Sequence, residues 1–251
     1  MLGEVRIIPV PGIPDAVQEG TDLSEAIVNA LDGAGMQIQG GDVVVVTQKV
    51  VSKAEGRLVD LGDVVPSALA RQIAEDSGKD AREVEVVLGE SVRIVRMVQG
   101  VLIVQTRHGL ICANAGVDRS NVEGGRLCLL PVNPDASAAT IRAGLRQRTG
   151  AEVAVIISDS FGRPWRMGQV NVAIGVSGMQ AIQDYRGQRD TEGRELQVTA
   201  LAVADELASA AELVQNKLDK VPVAIVRGYR YPMGEGNARD MVRAVDRDLF
   251  I

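Results

Sequence analysis

Aromatic side chains are scarce in this sequence: two Phe, three Tyr and one Trp among 251 residues. The 46% hydrophobic share therefore comes mostly from Val, Leu, Ile and Ala, which sets an aliphatic core. So few rings leave little platform for stacking nucleic-acid bases. Histidine is scarcer still. His108 is the only one, so a Ser-His-Asp triad or a His-ligated metal would have to use it. In "QTRHGLI", beside a glycine, a turn is its simpler role. The two cysteines, Cys112 and Cys128, form no C-x-x-C. That argues against a disulfide framework or a zinc knuckle and for a reducing, cytoplasmic setting. Positive charge is in deficit, at a formal net −6, which disfavours nucleic acid and anionic membranes as partners. No stretch approaches the roughly 18 apolar residues of a membrane span. "MLGEVRIIPVPGIPD", with its early Glu4, does not read as a signal peptide.

The familiar nucleotide signatures are missing as well. G-x-x-x-x-G-K-[ST] has no match, because Gly78-Lys79 is followed by Asp80. "GEGNAR" puts Arg239 where G-x-G-x-x-G needs its third glycine. Any nucleotide site must be built differently.

What is present alternates strand and helix. "VRIIPVPGIP" reads as a short strand entering a Pro/Gly loop. "TDLSEAIVNAL" has Thr21 as an N-cap and Leu23, Ile27 and Leu31 at helical spacing. Val43 to Val46 form a buried strand with a polar exit. "PSALARQIAEDSG" is a helix stopping at Gly78, and "REVEVVLGES" is a second one. Alternating residues around Gln99-Gly100 predict a hairpin followed by a third strand. "PDASAATIRAGLRQRTG" is a helix with Ser137 as cap and Gly150 as stop. "AEVAVIISDS" is a buried strand ending at Asp159-Ser160, "ALAVADELASAAELVQNKL" the clearest helix, and "VPVAIVRG" the last strand. Hairpins interrupt the βαβ rhythm, so the expected class is α+β, or mixed α/β, with partly antiparallel sheets. With no repeat, low-complexity tract or evident linker, residues 1–251 read as one functional unit, built whole or from two intertwined subdomains.

Four polar clusters break the apolar pattern. "PGIPD", residues 11–15, is either an ordinary loop or a nest of backbone N–H groups for an anion. "TQKVVSKAEGR", residues 47–57, offers Gln48, Lys49, Ser52, Lys53 and Arg57, as a solvated strand exit or a phosphate grip. "NAGVDRSN", residues 114–121, holds Asp118 and Asn121, as turn formers or as ligands. "IISDSFGRPWRMGQ" places Asp159-Ser160 before a basic loop with Arg163 and Arg166. If the strands before Asp118 and Asp159 are neighbours, both carboxylates converge at one sheet end, where hard cations such as Mg²⁺ and Mn²⁺ find oxygen ligands. Trp165 is expected to pack in the core rather than line an acceptor site.

These strings resemble the coenzyme F420:L-glutamate ligase (F420-0:γ-glutamyl ligase) family. "GDVVVVTQKVVSKAEGR", "NAGVDRSNVEGG", "LLPVNPDASAATIRAGL", "VIISDSFGRPWRMGQ" and "LAVADELASAAELV" occur in the family's order, from Pro9 to Arg227. The text looks closest to the ligase domain that some bacteria fuse to a flavin-binding domain, and no such second domain is expected within these residues. The resemblance implies a family-specific α+β fold and a homodimer. It implies GTP-driven addition of L-glutamate to coenzyme F420-0, then γ-linked extension of the tail. It also implies Mn²⁺ or Mg²⁺, with K⁺ as a further cation. By position it implies that Gly12, Ile13, Pro14 and Asp15 belong to the GTP loop, that Gln48 and Lys53 contact the nucleotide, and that Asn121 binds GTP. Asp118 would bind metal, Asp159 would bridge metals, and Ser160 would complete a second site. Asp118, Asp159 and Lys53 would carry catalysis, with Arg163 and Arg166 as an anion grip. One departure stands out: where some members have a metal-ligating Glu in a Gly-Glu-Gly loop, this chain has Asn216, in "LVQNKLDK". Glu235, in "MGEG", is acidic but has no assigned role. A same-build ligase for another carboxylate acceptor, a non-catalytic GTP-binding module and a metal-dependent phosphohydrolase are the competing readings.

Overall fold

The computed structural model describes residues 3–14, 17–119 and 125–248. Among these residues twelve strands and six α-helices follow in the order β1 (Arg6–Pro9), α1 (Leu23–Gly33), β2 (Val43–Thr47), α2 (Gln48–Ala54), β3 (Leu58–Asp60), α3 (Ala68–Ser77), α4 (Ala81–Gly89), β4 (Ser91–Val98), β5 (Val101–Thr106), β6 (Ile111–Ala113), β7 (Arg126–Cys128), α5 (Pro134–Thr149), β8 (Ala154–Arg163), β9 (Arg166–Ser177), β10 (Gln183–Asp184), β11 (Ala200–Leu201), α6 (Val203–Gln215) and β12 (Val223–Arg227). The class is α+β with mixed sheets, as the sequence predicts.

The central sheet runs β1-β12-β2-β8-β9. Only β2 and β8 pair in parallel; the other pairings are antiparallel. Strand alternation sorts the aliphatic residues onto two faces. Val44, Val46, Val155, Ile157 and Ile225 meet α1 and α5 through Ile27, Leu31, Ile141 and Leu145. Val43, Val45, Ala154, Ile156 and Val226 meet α6 through Val203, Leu207 and Ala211. Both faces are covered, which is why β2 reads as an unbroken valine run. A third core joins α3 and α4 to the β4-β5-β6 meander through Ile73, Val84, Val87, Leu102 and Val104.

The hairpin at Gln99-Gly100 forms, with both residues at positive φ (49° and 76°). Gly78 and Gly150 terminate their helices in the left-handed region, and His108 sits in a turn.

Several local expectations change. Asp22, not Thr21, caps α1: its Oδ1 accepts from Glu25 N at 3.1 Å, while the Thr21 hydroxyl accepts from Gln18 N. Asn133, not Ser137, caps α5, because Pro134 occupies the first turn. The Ser137 hydroxyl instead bonds the Asn133 carbonyl and Glu55. The exit from β2 is the helix α2, whose Val51 faces the core. β8 does not end at Asp159-Ser160 but continues to Arg163 and turns through Pro164-Trp165 into β9. Trp165 is therefore a hairpin-tip residue, 81% exposed with φ 56°, not a core side chain.

Candidate active site

Register brings the polar clusters to one edge. β1 and β2 are both antiparallel to β12, so β1, β2 and β8 all run the same way and finish together. Val10 N donates to Val223 O, Val223 pairs with Val46, and Val46 pairs with Ile157. Beyond that row lie the Gly12–Pro14 loop, α2 and the Ser158–Ser160 stretch. The outer ends of like-directed strands are where open sheets of this kind bind ligands.

Each cluster has its own local cause. Gly12 adopts φ 86°, a conformation that favours glycine; Ile13 is buried beneath it and Pro14 is exposed. On α2, Gln48 turns inward and its Oε1 accepts from the buried Ser52 hydroxyl at 2.9 Å. Lys49 and Lys53, four residues apart, share one helix face. Lys49 Nζ pairs with Asp118 Oδ2 at 2.7 Å. Charge from both lysines reaches the buried Cys128 thiol, whose pKa burial pushes up and the lysines pull down.

Asp118 is delivered by a strained turn. Asn114 (φ 50°), Ala115 (φ 56°) and Gly116 (φ 70°) are consecutive left-handed residues. Two of them are not glycine, at a cost of about 1–3 kcal/mol each. A Cβ on Gly116 would lie 2.8 Å from Leu130 Cγ, so that position accepts only glycine. Lys79 Nζ donates to Asn114 Oδ1 at 2.9 Å and holds the turn. Asp118 then bridges Cys128 through two backbone bonds of 2.8 and 3.0 Å.

Asp159 approaches from β8. Burial, first, and the neighbouring Asp118 charge raise its carboxyl to about 6; the Ser160 N–H, Lys217 and Lys49 pull the other way. The same carboxylate helps burial push the Cys112 thiol, on β6, to about 12. Asp118 and Asp159 thus lie near enough at the sheet edge for one charge to act on the other, with Lys49 paired to Asp118.

Ser160 is one residue along the strand and so points to the opposite face. Its hydroxyl donates to Asn171 Oδ1 at 2.6 Å and accepts from the Lys217 ammonium. Asn171 Nδ2 donates to Glu212 Oε2 at 2.6 Å, and Glu212 Oε1 pairs with Lys217 at 2.9 Å. Asn216 has φ 51° and donates from Nδ2 to Asp219 Oδ2 at 2.8 Å. Arg163 and Arg166 flank the hairpin tip, about 13 Å or more along the strand from Asp159. Arg163 folds back onto the Met167 carbonyl at 2.5 Å, and Glu235 pairs with Arg142 at 2.9 Å. Asp15 and Asn121 lie outside the described residues. Asn171, Glu212 and Lys217 are the members that the sequence expectations did not name, and Lys49 was named only in the 47–57 cluster, with no role carried over from the resemblance.

The donor set suits a hard cation that keeps solvent or phosphate oxygens. No group of three His, Cys, Asp or Glu side chains able to hold a metal occurs among the described residues. Two neighbouring carboxylates, one raised first by burial and then by the other's charge, match Mg²⁺ or Mn²⁺ bound by one or two carboxylates plus substrate phosphates. A cleft of about 530 Å³ lined by Asp32, Met36, Gln39 and Arg227 lies at the opposite edge, where β2 begins, and does not share these groups.

Fold and site define an α+β protein that gathers carboxylates and lysines at one sheet edge. The sequence model described as F420-0:Gamma-glutamyl ligase matches residues 13–228. The chain is 45% identical over 251 residues to the coenzyme F420:L-glutamate ligase of Methanothermobacter thermautotrophicus, spanning 98% of each chain. It is 42% identical over 254 residues to the Methanocaldococcus jannaschii protein of that name, spanning 100% of this chain and 99% of the relative. The Methanopyrus kandleri protein of that name is 44% identical over 254 residues, with 99% and 98% covered. This chain belongs to the F420-0:gamma-glutamyl ligase family. No helix among its described residues is long and apolar enough to cross a membrane.

Proposed function

We propose that this protein is a GTP-dependent ligase that joins L-glutamate to coenzyme F420-0 and extends the tail through γ-linkages. The observation that carries the reading is the meeting of Asp118, Asp159 and Lys49 at one sheet edge in a chain of this family. A carboxylate is a poor electrophile at neutral pH. Attack of its oxygen on the γ-phosphorus of GTP, with GDP leaving, makes an acyl phosphate. The glutamate amine then attacks the acyl carbon, phosphate departs, and the amide bond remains. The first step needs alignment and charge neutralisation rather than a protein nucleophile.

Asp118 and Asp159 would hold Mn²⁺ or Mg²⁺, which supplies Lewis-acid polarisation of phosphoryl oxygens and a template for in-line transfer. Lys53 and Lys49 would bind phosphate as mobile point charges. The Gly12–Pro14 backbone, with Asp15, and the Gln48 and Asn121 regions would frame the nucleotide. K⁺ would serve as an additional cation, and the working form would be a cytoplasmic homodimer. No histidine is required, in keeping with a single His108 placed in a turn.

The deciding experiment is a mass spectrum of F420-0 incubated with the protein, GTP, Mn²⁺ and L-glutamate. A glutamyl mass increment that requires all four supports the ligase. An unmodified acceptor with GTP consumed means another carboxylate is the substrate, and phosphate release independent of any amine means a phosphohydrolase.

A further inference from the structure

On the α6 side of β8 four side chains close a ring. Lys217 contacts Ser160 and Glu212, Ser160 donates to Asn171, and Asn171 donates to Glu212. Three elements and the loop after α6 supply it, so the arrangement belongs to the tertiary fold rather than to one turn. Ser160 Oγ is committed both as donor and as acceptor, and each Glu212 oxygen has a partner. Asp159 projects from the other strand face. Asn216 carries no carboxylate and is engaged with Asp219. The oxygens that would complete a second metal site beside Asp159 and Ser160 are thus already arranged around an ammonium. Lys217 reaches β8 at Ser160, the residue next to Asp159.

We infer that the Lys217 ammonium takes the place of a second divalent cation, so that the working site binds one divalent ion per chain and draws its other positive charge from the protein. This rests on the metal-dependent ligase reading above. A tethered ammonium neutralises phosphate without dissociating, and its positive charge repels a metal ion at Asp118 and Asp159. Removing it should therefore tighten the metal and slow the chemistry, a combination that general loosening of the fold does not produce.

The test is titration of the metal-free full chain with Mn²⁺ alone, reading free Mn²⁺ by electron paramagnetic resonance, beside the rate of glutamate addition. One Mn²⁺ per wild-type chain is expected. Lys217→Met should bind that ion roughly fivefold tighter, by the loss of one like charge across solvent-screened distance. Its kcat should fall about 10²–10³-fold, as for loss of one positioned electrostatic group. Lys217→Arg should recover part of the rate. Two Mn²⁺ per wild-type chain, or Lys217→Met at full rate, overturns the inference and leaves the ligase reading intact. One Mn²⁺ without glutamyl product removes the ligase reading while the cation count stands. No bound Mn²⁺ at millimolar metal overturns both.

Discussion

Replacing Asp159 by Asn should stabilise the metal-free protein while disabling it. The Asp159 carboxyl is raised from 3.8 to about 6, first by burial and then by Asp118. Between these values the native state holds a proton that the unfolded chain releases. Stability therefore falls as pH rises through that window, and the whole penalty is present above it. At roughly 1.4 kcal/mol per pH unit the ionised group costs about 3 kcal/mol at neutrality. Partial exposure of the side chain trims this to about 1–3 kcal/mol. Asn keeps the shape and removes the charge. Lys49 from α2 and Lys217 beyond α6 offset part of the cost, and Cys112 from β6 stays protonated and neutral. Urea unfolding of the chelator-treated protein, wild type against Asp159→Asn, isolates this one group from every other carboxyl titrating in the same range. The variant should be more stable by about 1–3 kcal/mol near pH 7.5 and within ~0.5 kcal/mol of wild type near pH 4. Added Mn²⁺ should stabilise wild type only. A variant less stable at both pH values, or equally favoured at both, refutes the reasoning.

Asp42 is 1% exposed and accepts from Arg227 Nε and Nη2 at 2.8 and 2.7 Å and from Gln39 N, so Asp42→Ala should cost about 1–3 kcal/mol in chemical denaturation by removing the acceptor of these bonds, while the half-buried Arg227 keeps the Gln37 carbonyl. At Gly175 a Cβ would run into the Pro134 backbone where α5 packs on β9; Gly175→Ala should lower stability by about 1–3 kcal/mol or more, measured by thermal unfolding. Lys49→Met should remove the partner of Asp118 and slow glutamate addition about 10²-fold or more, with unfolding midpoints little changed because the pair is partly exposed. Trp165 should emit as a water-exposed indole, quenched readily by acrylamide, and Trp165→Ser should alter stability by no more than ~0.5 kcal/mol.

Residues whose role is local were legible in the sequence. The valine run of β2 could only be a strand buried on both sides, and Gly78 and Gly150 announced their helix ends. Asp118 and Asp159 stood out as carboxylates beside apolar strands. α2 was missed because its short, cationic face hides the Val51 anchor. Trp165 was misjudged because the preference of large rings for the interior yields when the ring occupies a two-residue hairpin tip. The ring around Lys217 had no sequence signal at all. Its bonds join residues 57 and 41 positions apart, so only the packing of α6 on β8 and β9 brings them together.

The pairing of β8 with β9 has a consequence for how the site tolerates change in chain length. Ile157 pairs with Gly175 and Ser158 with Ala173, leaving Ile174 as an uncounted residue on β9. That extra residue resets parity. It puts Val172 on the side of Asp159 and Asn171 on the side of Ser160 and Glu212. Deleting Ile174 alone would remove the bulge and keep these pairs, whereas a one-residue slip of β9 against β8 would set Val172 opposite Ser160 and turn the Asn171 amide toward the aliphatic core. The bulge therefore gives β9 a spare residue whose loss the ladder can absorb, so the polar ring on α6 should survive a one-residue shortening there, although a slipped register would dismantle it.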